Sequence, residues 1–178
     1  LAETLKLIEA APASYPLAPV GLSEAAEALD PRFIWQRIEA YTAWRWSERA
    51  VEWVVEGPGC WSPPLAPVTV ATVENWQSEA WQACTSAPSP FGGYDLAGSG
   101  PYRFTGVAGT DDDPPPDVLE AFRRLAEYMA AKPGKAGASS ESVSAGSVTL
   151  SHNRSAEWLA RAMINSGAAD LLRRYRRT

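Results

Sequence analysis

Few of the 178 residues combine type and spacing in a way that would do chemistry. The single histidine, His152, has no Cys or acid beside it at ligand spacing, so it does not indicate a zinc-type site. Cys60 and Cys84 form neither a CxxC nor a Cys–His pair, which supports neither a zinc site nor a thiol nucleophile. One disulfide between them is open in principle, but nothing else looks secreted, so free thiols are expected. No GxSxG occurs, and Gly98-Ser99-Gly100 is not followed by the Gly-Lys-Ser/Thr of a phosphate loop. Asp111, Asp112 and Asp113 lack the spacing and the distal Glu of a calcium loop. They read as a solvated acidic loop whose charge suits the helix N-terminus that follows. The carboxylate pair of a glycosidase cannot be placed from sequence. The expectation is therefore a non-enzyme with no cofactor and no metal.

Charge and aromatic content say more. From His152 onward six Arg face Glu157 and Asp170, while the preceding residues hold ten Lys/Arg against nineteen Asp/Glu. The chain, at net −5, is an acidic body with a basic tail. Such a tail is either a solvated terminal helix or an element that docks on something acidic. In it Trp158, Leu159, Ala162, Met163, Leu171, Leu172 and Tyr175 recur at roughly helical spacing, interrupted near Ser166-Gly167. Eight Trp is a high count, and some of these rings are expected at a partner interface rather than in the core. The Trp-bearing stretch 35–81 is net acidic, which argues against a groove that tracks phosphates. No apolar run reaches the ~18–20 residues of a membrane span. The charged start LAETLKLIEA does not read as a signal peptide, so a soluble protein made in the cytoplasm is expected.

The elements follow in order. Residues 1–21 read as a Pro-rich extended lead-in. Ser23 caps a short helix to Leu29, and Asp30-Pro31 starts a second that runs to Trp46 or Ser47, with Ile34, Ile38 and Tyr41 on one stripe. Arg49–Glu56 alternates as a strand, Ala50, Glu52 and Val54 opposite Val51, Trp53 and Val55. Strands are also predicted over Val68–Trp76, Glu79–Ala83 and Tyr102–Ala108, with a hairpin between the first two and a long loop over 85–101. A helix from Asp117 to about Lys132 carries Val118, Phe122, Leu125 and Met129 on its apolar stripe. The predicted fold class is α+β: a helical core of two or three helices with a small, mainly antiparallel sheet and an extended C-terminal helical arm. A mostly helical fold with the strands as a peripheral insertion is the competing reading. The predicted division is a body over 1–132 with a β insertion at about 49–108, a flexible linker over 133–151, within which Ser147–Ser151 could be a brief strand, and a basic docking arm over 152–178.

The ordered set of segments carries a resemblance. The short helix LSEAAEAL precedes a longer one ending RIEAYTAWRW. A strand pair flanks PPLAPVTVATV, and YRFTGVAGTDDDPPPDVLEAFRRLAEYMA follows the loop. GSVTLSH leads into a final GAADLLRRYR. From about residue 16 onward the chain resembles the head–tail connector, or adaptor, family of long-tailed bacteriophages and phage-derived gene transfer agents, most of all the gene-transfer-agent version. The Trp count and the compact stretch between residues 22 and 35 depart from the usual pattern.

The resemblance implies a non-catalytic structural protein of a phage-like particle, made in the bacterial cytoplasm and located at the head–tail junction. It implies a closed ring, about twelve identical copies, under the portal, which requires two different complementary patches on each subunit. The ring would join the portal protein to a stopper or other tail-side protein, and DNA would pass through its channel without specific binding. On that reading the tail docks on the portal, Leu171, Leu172 and Tyr175 giving apolar burial and Arg173, Arg174, Arg176 and Arg177 pairing portal carboxylates. Trp35, Trp44, Trp46, Trp61, Trp76 and Trp81 are the candidates for the ring interface. The alternatives are a nucleic-acid-binding accessory protein using the Arg-rich C-terminus, and a Trp-lined ligand-binding β domain.

Overall fold

Strand-forming and helix-forming stretches interleave along the chain, and a computed structural model, describing residues 2–131, 140–145, 148–153 and 158–176, sorts them into two units. One is built from residues 2–16 and 43–113, the other from residues 17–42 and the described part of 114–176.

The first unit is a β structure. Its larger sheet is antiparallel, in the order β1 (Glu3–Glu9), β2 (Arg49–Glu56), β8 (Tyr102–Ala108), β4 (Val68–Gln77), β5 (Ala80–Ala83). The smaller is β3 (Gly59–Trp61), β7 (Tyr94–Leu96), β6 (Ala87–Pro88). The period-two pattern of β2 sends Val51, Trp53 and Val55 inward, all buried, and leaves Ala50 and Glu56 exposed. The antiparallel register sets Trp53 opposite Phe104 on β8, and Phe104 opposite Val73 on β4. Residues of both sheets meet in one core of Val51, Trp53, Val55, Trp61, Leu65, Leu96, Tyr102, Phe104 and Ala108. Trp61 is its keystone. Its ring centre lies 4.4 Å from that of Phe104 and 5.8 Å from that of Trp53, and its indole N–H donates to Thr4 Oγ1 at 2.8 Å. β4 and β5 are joined at Ser78 and Glu79, both left-handed as a two-residue hairpin turn requires.

The second unit is helical. α1 (Glu24–Glu27) is one turn, capped by Ser23, whose Oγ accepts the Ala26 N–H at 3.3 Å. α2 (Pro31–Thr42) buries Ile34, Trp35 and Ile38, and α3 (Pro116–Ala130) buries Val118, Ala121, Phe122, Leu125 and Ala126. Trp35 packs on Phe122 with centroids 5.0 Å apart. The Ser23 N–H and hydroxyl each donate to Glu127 at 2.7 Å, which ties α1 to α3. β9 (Ser140–Ala145) and β10 (Val148–Asn153) pair as a hairpin where the sequence reads as linker and a brief strand. Three short pieces close the described chain: α4 (Ala162–Asn165), α5 (Ala168–Leu171) and a 3₁₀ turn over Arg173–Tyr175.

This corrects the predicted fold class. Among the described residues the protein is mainly β, eight strands in two antiparallel sheets besides the β9–β10 hairpin, and only α3 is a long helix. It is not a helical core with an extended C-terminal helical arm. Two causes are visible. Glu3–Glu9, read as part of a lead-in, contributes a full strand to the larger sheet, paired with β2 from Glu3↔Glu56 to Glu9↔Val51. In the tail, Gly167 takes a left-handed φ of +75° between α4 and α5, so the helical spacing there yields two single turns rather than one helix.

Candidate partner-docking surfaces

The C-terminal segment is held on α3 rather than extended. Ala162, Ala168 and Leu172 are fully buried and Tyr175 nearly so. Leu171 is half-buried, whereas Arg173, Arg174 and Arg176 are exposed; Arg177 lies outside the described residues. A polar clasp completes the seat. Arg174 donates to the Tyr175 phenol oxygen and pairs with Asp117 at 3.0 Å, and the phenol donates to Asp117 Oδ1 at 3.2 Å. Asp117 sits in the first turn of α3, where the helix dipole favours its charge. Burial, the largest effect, pushes the Tyr175 phenol above its ordinary value. Arg176 lies over the Tyr41 ring, 4.8 Å from its centre, and Arg173 pairs with Asp170 at 2.7 Å in open solvent. Ala162, Met163, Ala168, Leu172 and Tyr175 thus face inward, Leu159 and Ile164 do not, and Arg173, Arg174 and Arg176 form an outward row.

The Trp residues divide. Trp35, Trp46 and Trp61 are buried within the chain, as is Trp53. Of the interface candidates, Trp44 is half-buried, 5.7 Å from Trp46, and the most exposed ring lies at the tip of the β4–β5 hairpin. There Trp76, 44% exposed, meets Trp81 across the strands at 5.2 Å. Arg103 lies 4.7 Å from the Trp81 ring and pairs with Glu74 at 2.6 Å.

Among the described residues the most exposed large apolar side chains are ones not singled out from sequence: Leu17 at 90%, Phe91 and Val20 at 88%, and Ile164 at 68%. Phe91 stands at the tip of a knotted turn. Its N–H donates to Ser89 Oγ at 3.2 Å, and the Gly92 N–H donates to the Ser89 carbonyl at 3.0 Å. The Ser89 N–H donates to the Gly93 carbonyl at 3.0 Å, and the Ser62 hydroxyl to the Gly92 carbonyl at 3.0 Å. Gly92 and Gly93 are both left-handed, and a Cβ on Gly93 would lie 2.2 Å from the Trp61 carbonyl oxygen. In the helical unit, residues 18–20 and Leu22, α1, Leu29, the start of α2 and Phe122 line an open apolar groove of about 230 Å³. The local signal for the tip was legible: an aromatic residue inside Pro90-Phe91-Gly92-Gly93 has no strand or helix face to bury it.

The remaining candidates are structural. Asp111 accepts the Glu48 N–H at 3.1 Å and Asp112 accepts the Thr110 hydroxyl at 2.7 Å, so these acids order their own loop. Cys60 and Cys84 are free, and burial pushes the Cys84 thiol up. His152 falls on β10. Among the described residues no cluster of three His, Cys, Asp or Glu is placed to hold a metal, and no helix is long and apolar enough to cross a membrane. Comparison with known protein families, with characterised proteins and with solved structures finds no match for the chain.

Proposed function

We propose that the chain is a structural head–tail adaptor of a phage-like particle, a ring subunit that meets the portal through its C-terminal segment. The observation that carries this reading is the form of that segment. Leu172 and Tyr175 anchor it on α3, and Arg173, Arg174 and Arg176 stand outward on a fixed backbone. A pre-ordered row of guanidinium groups suits an acidic protein surface, because little side-chain and backbone entropy is left to lose on docking. The order of sequence segments, from LSEAAEAL to GAADLLRRYR, supports the same reading. The buried placement of Leu172 and Tyr175 shifts the proposed contact from apolar insertion to charge pairing.

The test is particle assembly with Arg173→Glu and Arg176→Glu together, viewed by electron microscopy. Both side chains are exposed, so the fold is retained. Separated DNA-filled heads and free tails are expected. Intact tailed particles would remove the arginine row from the joint. Exposed arginines also suit phosphates. Intact particles together with a DNA affinity that falls steeply with salt and is lost in the double variant would favour the nucleic-acid-binding reading.

A further inference from the structure

We infer that the outward face of α2, together with Leu159 and Arg176 of the C-terminal segment, is a docking surface for an acidic amphipathic helix of a partner protein. The inference rests on the reading of the C-terminal arginines as a docking row and extends that row onto α2.

The face follows from helical geometry. With about 3.6 residues per turn, α2 turns Ile34, Trp35, Ile38, Glu39 and Thr42 inward, all buried, and Phe33, Gln36, Arg37, Ala40 and Tyr41 to the opposite side. Phe33, Arg37 and Tyr41, four residues apart, form one ridge. Arg37 lies over the Phe33 ring, 5.8 Å from its centre, and its Nη2 donates to the Leu159 carbonyl at 2.8 Å. Arg176 lies over the Tyr41 ring and donates to the Tyr41 hydroxyl at 3.4 Å. The two rings that back these guanidinium groups are about 12 Å apart along the helix axis.

The charge on this face is uncompensated. The single acid of α2, Glu39, is on the buried side. Arg32, Arg124, Arg173 and Arg174 of the same unit each pair with a carboxylate, respectively Asp30, Glu120, Asp170 and Asp117. Among the described residues Arg37 and Arg176 have none, and Arg37 Nε is buried without an acceptor. A guanidinium already oriented by a ring loses little freedom when a carboxylate arrives. Beside Arg37, exposed Phe33 and Leu159 supply apolar area that excludes water from such a pair.

The occupant is therefore a segment with acids about two helical turns apart and apolar residues between them. A helix meets both demands, because the ridge on α2 packs into the groove between the ridges of another helix. Single-stranded nucleic acid is held by bases stacked on open rings, whereas Phe33 and Tyr41 each already carry a guanidinium.

The test measures fluorescence anisotropy of a labelled helical peptide of Leu, Ala and Glu, its glutamates on one stripe, with the full chain. A peptide with Gln for Glu and an oligo-dT strand are the comparison probes. The acidic peptide is expected to bind, and its Gln form roughly tenfold or more weakly. Arg37→Gln and Ala40→Glu are each expected to weaken binding roughly tenfold. The first removes a cation. The second sets a carboxylate one turn from Arg37 at an exposed position, so no contact of the fold is lost. Arg124→Gln, the same charge change at a paired arginine on α3, is expected to leave the affinity within about twofold. Near-ultraviolet circular dichroism checks that each variant is folded. Absence of binding overturns the inference, as does binding that Arg37→Gln and Ala40→Glu leave unchanged or that Arg124→Gln weakens equally. Binding of oligo-dT in preference to the peptide, lost in Arg37→Gln, assigns the face to nucleic acid and overturns it too. Arg37-dependent peptide binding, with intact tailed particles from Arg173→Glu and Arg176→Glu together, keeps the surface and removes the adaptor reading. Arginine-dependent joining of heads and tails by a chain that does not bind the peptide does the reverse.

Discussion

Leu172 and Arg173 are neighbours with opposite fates. Leu172 is fully buried in the seat on α3, and Arg173 extends into solvent with its side chain 80% exposed. Leu172→Ala is expected to destabilise the chain by about 2–5 kcal/mol, a loss of apolar transfer plus the cavity it leaves. Arg173→Ala is expected to change stability by less than about 0.5 kcal/mol, because its pair with Asp170 is fully solvated. Urea titrations followed by Trp fluorescence measure both, and equal effects would mean that the segment is not seated as described. The pair also decides which substitutions probe partner docking. Truncating Leu172 or Tyr175 damages the subunit itself, whereas reversing the arginines leaves it whole.

At the scale of the element, β1 is held at a sheet edge by charge as much as by pairing. Glu9 accepts from Arg45 Nε at 2.5 Å and from Arg49 Nη1 at 3.1 Å, and Arg49 is itself buried, its Nε donating to the Ser47 carbonyl. Burial works against the Glu9 charge, but the hydrogen bonds and fields of Arg45 and Arg49 outweigh it and hold the carboxyl below 4.5. A depressed folded-state value means that Glu9 contributes stability above the unfolded value. That contribution is lost as pH falls through the folded value. Melting temperature should therefore drop below about pH 4.5 more steeply in the native chain than in Glu9→Gln, which is less stable at pH 7. Parallel pH profiles would show that the cluster does not couple to folding. The same strand explains what the sequence could reveal. β2 was legible because one face is buried and its residues alternate. β1 was not, because five of its seven residues are exposed and an edge strand has no need of alternation. β3, β6 and β7 have two or three residues each and exist only through tertiary pairing, so no local pattern announces them. The α3 stripe Val118, Phe122 and Leu125 was readable, as was the helical spacing in the tail. The interruption near Ser166-Gly167 was readable too; what the tail spacing could not convey was that the pieces on either side are single turns, with Leu172 and Tyr175 buried beyond them. The Trp count could not separate the core rings Trp35, Trp46, Trp53 and Trp61 from the exposed Trp76, because burial of an aromatic residue depends on the partner strand or helix and not on its own neighbours in sequence.

Across the whole molecule, the two units are not consecutive in sequence. The helical unit takes residues 17–42, then resumes after residue 113, and the β unit lies between and before. The β unit holds its own core, in which Trp53, Trp61 and Phe104 meet. A chain ended after Asp113 is expected to keep the near-ultraviolet circular dichroism of that core and to lose the far-ultraviolet signal of α2, whose Trp35 packs on the missing Phe122. Loss of both signals would mean that the β unit depends on the helical one. The interleaving has a consequence during synthesis. α2 leaves the ribosome with Ile34, Trp35 and Ile38 uncovered, and residues 43–115 must be made before α3 arrives. At roughly 5–20 residues per second that delay is about 4–15 s. For those seconds an apolar helix face stands open on every nascent chain, and in a polysome the nearest such face belongs to the neighbouring copy.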